Sequence, residues 1–294
     1  MKSSVKDGVM TVARIVPDPL YLRVGYFLRM GRPLRMNPPR TFNEKLQWLK
    51  LHDRNPLYTR LVDKYEMRGY VRERLGDEFL IPLAGGPWNS FDEIDFDALP
   101  ERFVLKCTHD SGSVWVVRDR AAFDTSAVKG QIERALSRNY YWRGREWPYK
   151  NVRPRIVAEE YVELDSPDCA EYKLFCYGGR VSWVMVCRGR AHDPQGGRTN
   201  DGFDADFHPL PVSFTNPRSQ TPLVKPAEWG ELKRVAEALA DGMPQVRVDT
   251  YLAAGKIYVG EMTFYHDGGF CRFDPPEWDA KFGEGLDITA GRGR

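Results

Sequence analysis

Residues 247–264, RVDTYLAAGKIYVGEMTF, alternate apolar and polar side chains on both sides of a short Ala-Ala-Gly turn. Val246, Val248 and Thr250 fall on one face of the first run, and Arg247, Asp249 and Tyr251 on the other. Ile257 and Val259 alternate with Tyr258 on the second run, which ends in Gly260 and Glu261. A period of two on both sides of a turn predicts a two-stranded antiparallel hairpin. Asp249 and Glu261 then sit on neighbouring strands, at one end of a sheet. Two carboxylates so placed suit a hard cation such as Mg²⁺, which takes one or two of them and completes its shell with phosphate and water. Arg247 lies two residues before Asp249 and shares its face. One cation and two anions thus outline a candidate phosphoryl site. The competing reading is a surface hairpin with ordinary exposed charges.

What surrounds the hairpin narrows the choice. A chain of 294 residues can form two or three compact units or one elaborated domain. Its net charge of +2 makes no overall case for nucleic acid or membrane. Five cysteines show no CxxC spacing, and Cys107, Cys176 and Cys187 lie in apolar runs where a reduced, buried thiol is expected. With neither a signal peptide nor a membrane-length apolar run in view, the expectation is a cytosolic protein. The histidines are scattered, which argues against zinc.

Residues 1–78 read as helical and basic. Between Pro19 and Asn43 there is no acid, but there are five arginines: Arg23, Arg29, Arg32, Arg35 and Arg40. Tyr21, Val24, Phe27 and Leu28 recur among them at helical spacing. The expectation is that this apolar side docks on the body with the arginines in water. Peripheral contact with an anionic membrane through residues 19–43, or a grip on an acidic polymer, is the alternative. Thr41 and Glu44 form a capping-box pattern. Asn55 and Pro56 open a further helix, with a break near Asp63.

A first strand is expected at residues 79–83, then a Gly-Gly-Pro turn and a solvated linker bearing Asp92, Glu93, Asp95 and Asp97. RFVLKC and VWVV read as strands flanking the turn THDSGS. Lys106 ending its strand can grip phosphate while backbone N–H groups of the turn cradle oxygens. Alternatively it snorkels to solvent. Residues 124–138 form an amphipathic helix. The aromatic stretch NYYWRGREWPYKN can stack on bases, but the expectation is that it packs a helix end and binds nothing. RIVAEEYV is a strand, and EYKLFCYGGRVSWVMVCRGR is a hairpin turning at Gly178 and Gly179. Residues 191–226 read as loop, 227–242 as helix, and the C-terminal residues as a short tail.

Taken together, TFNEKLQWLKLHDRNPLYTRLVDKYEMRGYV, FDEIDFDALPERFVLKCTHDSGS, REWPYKNVRPRIVAEEYV, EYKLFCYGG and RVDTYL…GKIYVGEMTFY resemble the TupA-like family of the ATP-grasp superfamily, named after teichuronopeptide biosynthesis. The resemblance runs over residues 39–273. It implies an α+β, ATP-grasp fold in which two α+β subdomains with antiparallel sheets hold ATP between them, after a helical basic N-terminal region. The units expected are residues 1–78, 79–162 and 163–294. It implies that Lys64 and Lys106 hold the α- and β-phosphates, and that the turn with His109, Ser111, Gly112 and Ser113 closes over them. Glu159, Glu160, Tyr161 and Val162 would meet the adenine, and Glu171 the ribose. Lys173 would reach a phosphate, and Asp249 and Glu261 would bind Mg²⁺. Arg247 would stabilise the transferring phosphoryl group, and Arg188 and Arg190 are further anion contacts. Many superfamily members carry an asparagine where this chain has Thr263, whose hydroxyl is a weaker metal ligand. The usual βαβ substrate domain is missing.

The chemistry implied is ATP-dependent joining of a carboxylate to an amine through an acyl phosphate. An amino acid or amine would be attached to a uronic acid or peptide polymer in cell-surface polysaccharide synthesis, in the cytoplasm or at the inner face of the membrane. A kinase acting on a sugar hydroxyl and a non-catalytic nucleotide-binding subunit are the other readings.

Overall fold

The computed structural model describes residues 14–165, 171–189 and 197–289. The N-terminal region carries helices α1 (Asp18–Met30), α2 (Phe42–His52), α3 (Leu57–Val62) and α4 (Glu66–Arg74). The capping box at α2 is present, with Thr41 Oγ1 accepting from the Glu44 N–H at 3.3 Å and the Glu44 carboxylate accepting from the Thr41 N–H at 3.2 Å. The break between α3 and α4 falls at Asp63, whose carboxylate accepts from the N–H of Tyr65 at 2.9 Å and so starts α4.

The first sheet follows: β1 (Leu83–Trp88), β2 (Phe103–Cys107), β3 (Val114–Val117) and, after helices α5 (Thr125–Leu136) and α6 (Tyr141–Gly144), β4 (Ile156–Glu160). All pairings are antiparallel, in the order β1-β4-β2-β3. Ile132 and Ala135 of α5 pack on Phe103, Leu105, Ile156 and Ala158 in a core of its own. The first strand corrects the sequence expectation: residues 77–79 form a 3₁₀ turn, and Gly85, Gly86 and Pro87 lie inside β1 rather than in a turn. β1 is an edge strand with irregular register, where Gly and Pro are tolerated. In the linker after it, Phe91, Ile94 and Leu99 are buried while its four acids stay in solvent.

The second sheet comprises β5 (Glu171–Tyr177), β6 (Arg180–Arg188), β7 (Thr199–Asp204), β8 (Gln245–Ala253) and β9 (Lys256–Thr263), in the order β7-β6-β5-β8-β9. Helix α7 (Trp229–Ala240) covers one face, its Leu232, Val235 and Leu239 packing in one core with Val246 and Val248. β7 was expected to be loop, and helix α8 (Trp278–Glu284) was expected to be tail. The opposite face is split. At one end Phe175, Trp183 and Phe282 stack, with Phe175–Trp183 ring centroids 3.5 Å apart, and Phe42 meets Phe175 and Trp183 edge-on. At the other end the same face carries charge. The N-terminal helices α2, α3 and α4 therefore share the core of this sheet.

Helix α1 buries Leu22 and Tyr26, but Leu20, Val24, Phe27 and Leu28 remain more than half exposed. The docked side is thus not the Val24–Phe27–Leu28 side that its spacing suggested. Gly31, at φ +68°, ends the helix in the left-handed conformation that glycine adopts freely. Among the described residues no helix is long and apolar enough to cross a membrane. Cys107, Cys176, Cys187 and Cys271 are free and buried.

Candidate active site

β8 and β9 pair so that Asp249 lies opposite Glu261 and Arg247 opposite Thr263. The hairpin expected from the sequence therefore forms, and it brings all four side chains together. Arg247 is the hub. Its Nε and Nη2 reach the two oxygens of Asp249 at 2.6 and 2.7 Å, a bidentate fork. Nη2 also donates to Glu261 Oε1 at 2.7 Å and Thr263 Oγ1 at 3.1 Å. Nη1 donates to His266 Nδ1 at 2.8 Å. Burial pushes the His266 imidazole down to about 4, so the ring is neutral and can accept.

β5 adds Lys173 beside Asp249 and Glu171 beside Tyr251. The Lys173 ammonium donates to Asp249 Oδ2 and lies 3.0 Å from Glu171, while Tyr251 donates to Glu171 at 3.0 Å. Glu171 also meets Arg198 at 3.1 Å, so three carboxylates and three cations share the cluster, and Asp249 is 0% exposed. Its burial, outweighing Arg247 and Lys173, raises it to about 6. Glu261 behaves oppositely. Burial acts to raise it, but Arg247, Lys173 and Lys64 together hold it down at about 2. Its side chain is 33% exposed, and only Oε1 is engaged among the described residues. The open, partly exposed oxygen of Glu261, beside the Asp249 carboxylate, is suited to receive a further cation.

Arg188 does not join this cluster. Cys187 lies opposite Glu171, so strand alternation turns Arg188 to the other face. There it pairs with Asp201 at 2.9 Å and donates to Thr221 O at 2.6 Å. Arg190 lies outside the described residues.

On the four-stranded sheet, Lys106 donates to Glu159, which also meets Arg68 at 3.3 Å. Lys64 donates to the carbonyl of Asp110, and its N–H to Thr108 O at 3.0 Å, which ties the start of α4 to the turn. Within the turn the Asp110 carboxylate accepts from Ser113 Oγ. Gly112, at φ +95°, has open space where a Cβ would project. His109 is a correction: its Nε2–H donates to Ala135 O at 3.0 Å and the ring is buried beneath α5, so only its backbone can serve the turn. Glu160 is exposed, and its N–H donates to Pro82 O at 3.0 Å. Tyr161 is half-buried under the Arg102 guanidinium, 4.9 Å from its ring centre, and Val162 is half-buried beside it.

A cavity of about 410 Å³ has a wall that includes Ser111 of the turn and Arg247, Glu261 and Thr263 of the hairpin. The rest of the wall was missed in the sequence: Arg29 from α1; Tyr140, Arg143, Glu146 and Tyr149 from the aromatic stretch; Asp267 and Phe270 beyond β9. That aromatic stretch was expected to bind nothing, yet it forms a side of the cavity. The signal available was an arginine and a glutamate among packed aromatics, which is too common to single out.

Two antiparallel sheets, one carrying Lys106 and a glycine-bearing turn that Lys64 holds from the helical region, the other an acid pair beside an arginine, have the form of the ATP-grasp class. The family model described as TupA-like ATP-grasp matches residues 44–287, and the chain belongs to that family. No curated protein sequence matches it. Among solved structures it is similar to D-alanine–D-alanine ligase from Bacillus anthracis complexed with ATP, at 15% identity and TM-score 0.40, over 78% of this chain and 60% of that one. It is also similar to N5-carboxyaminoimidazole ribonucleotide synthetase from Thermus thermophilus, at 11% identity and TM-score 0.37, over 69% and 45%. A third is N5-carboxyaminoimidazole synthase from Aspergillus clavatus in complex with ADP and 5-aminoimidazole ribonucleotide, at 13% identity and TM-score 0.40, over 75% and 47%. The chain spans less than two thirds of each of these proteins.

Proposed function

We propose that this protein is an ATP-dependent carboxylate–amine ligase, with residues 79–162 and 163–294 forming the two units that close on the nucleotide. The observation that supports the reading is the cavity lined both by Ser111 of the turn and by Arg247, Glu261 and Thr263. ATP, when bound, supplies the phosphoryl group, and Mg²⁺ neutralises its charge. Glu261 fits a divalent cation readily, through its open oxygen and the neighbouring Thr263 hydroxyl. Asp249 joins as a ligand only by releasing Lys173 or one arm of Arg247. Lys64, Lys106 and the backbone of the turn grip phosphate oxygens, and Glu171 takes the ribose hydroxyls. Glu159 already holds Lys106 and Arg68, so its task is to orient the lysine. Arg247, fixed by five polar contacts, stabilises charge on the moving phosphoryl group without reorganising.

In this reading a substrate carboxylate oxygen attacks the γ-phosphorus and ADP leaves. An amine nitrogen then attacks the acyl carbon, phosphate departs, and the amine proton passes to a base. The polymer-linked acceptor and its place in cell-surface polysaccharide synthesis belong to the same proposal. They are supported by the basic segment 19–43 and by the exposed Leu20, Val24, Phe27 and Leu28, a face suited to peripheral contact with an anionic membrane. The test is a trap. Hydroxylamine intercepts an acyl phosphate as a hydroxamate, so candidate carboxylates incubated with Mg-ATP and hydroxylamine should yield hydroxamate and ADP together. A stable phosphate ester with no hydroxamate would make the protein a kinase.

A further inference from the structure

Part of the cavity wall is polarised. Glu146 forms its acidic part. It is 5% exposed, and its carboxylate has no hydrogen bond or ion pair among the described residues. Lys50, the buried cation whose charge it feels most, spends its donors on the carbonyls of Gly144 at 2.8 Å and Gly268 at 2.6 Å. Burial accordingly raises the Glu146 carboxyl above its usual range, against the pull of Lys50, Arg143 and Arg247. An unpaired carboxylate buried at a cavity wall is costly to keep, and a cation brought by a ligand would supply its partner.

The cationic part is a pair of arginines at the rim. Arg29 lies 4.3 Å from the centre of the Phe270 ring, and Arg143 lies 5.8 Å from that of Tyr140. Both are exposed, and neither makes an ion pair among the described residues. Their placement is built. Arg145, 1% exposed, is clasped by Tyr21 and Trp142 at 4.5 and 4.6 Å and lies 3.4 Å from Asp18. Asp18 accepts from Tyr141 at 2.6 Å, and Tyr21 donates to the carbonyl of Arg143 at 3.1 Å. These contacts clamp α1 to the segment bearing Arg143 and Glu146. Arg29 lies before residue 44, so the family match does not reach it.

We infer that this wall is the subsite of the amine substrate, and that it takes a zwitterion such as an α-amino acid, its ammonium against Glu146 and its carboxylate between Arg29 and Arg143. The inference rests on the ligase reading for its place in the reaction. There the ammonium must lose a proton before its lone pair can attack the acyl carbon. Glu146 accepts that proton, the C–N bond forms and phosphate leaves. The binding claim stands apart from that step and is tested apart from it.

The experiment is calorimetric titration of the full chain, saturated with Mg²⁺ and a non-hydrolysable ATP analogue. The probes are the common α-amino acids and, for each that binds, the amine lacking its carboxylate and the acid lacking its amine. At least one amino acid should bind, and both truncated probes should bind at least tenfold more weakly. E146Q should lose at least tenfold affinity for the amino acid and the amine but not for the acid. R143A, an exposed change that leaves folding alone, should lose the amino acid and the acid but not the amine. The thermal shift given by the ATP analogue should persist in both variants. If no amino acid binds, or if E146Q weakens all three probes alike or none, the inference is overturned. The outcome is separable from the ligase reading. Hydroxamate formed by the wild type without a Glu146-dependent amine site would sink the subsite alone, whereas a Glu146-dependent amine site without hydroxamate would sink the ligase alone.

Discussion

The two sheets handle charge differently. The five-stranded sheet buries Arg247, Asp249, Lys173 and Glu171 in one network in which each side chain has at least two polar partners. The four-stranded sheet holds Lys106 by a single contact to Glu159 and leaves the rest of its anion-binding capacity to the backbone of a loop. The first arrangement fixes geometry and tolerates little change. The second keeps a cation and a turn of backbone N–H groups together beside the ligand space. A site that must neutralise charge in one place while admitting a nucleotide from another needs both.

The largest expected effect sharpens that contrast. Glu261→Gln removes the open carboxylate but keeps its size, and turnover should fall about a hundredfold or more. Nucleotide affinity, carried largely by the other sheet, should change far less; steady-state rates and nucleotide titration read the two separately. Next comes the aromatic end of the same face. Trp183→Ala removes a ring stacked on Phe175 and Phe282 and should cost about 3–5 kcal/mol in denaturant unfolding.

His266 gives the network a pH signature. Its folded value of about 4 lies below its unfolded value, so the neutral ring stabilises the fold fully above about pH 6.5. That stability is lost as pH falls from about 6.5 to 4, by up to about 3 kcal/mol. Asp249, raised to about 6, acts in the opposite sense. His266→Gln should therefore flatten the acid limb of the stability curve, and unfolding of both proteins across that window checks it.

Smaller effects are expected on the other sheet. Lys106→Met leaves Glu159 with Arg68 alone, so the free protein should lose about 1–3 kcal/mol while most of the thermal shift from Mg-ATP disappears.

The network at β8 and β9 was legible because period-two alternation fixes which side chains share a face. The same rule, applied to the pairing of Glu171 with Cys187, excludes Arg188, but that register became known only with the structure. His109 was misread because a polar turn can still send one side chain inward to a helix carbonyl. Glu146 lies on irregular backbone, Arg143 in the single-turn helix α6, and Arg29 on a helix whose docked side its spacing did not reveal. No periodicity could have put them on one wall. β1 was displaced because Gly and Pro, ordinarily turn signals, fit an edge strand.

The account rests on both sheets facing one nucleotide. Amide hydrogen exchange with and without Mg-ATP measures that directly. Added nucleotide should slow exchange together in the turn at 108–113, in β4 and in β8 and β9 around Asp249 and Glu261. Protection confined to one sheet, or absent from both while the protein stays folded, would contradict it.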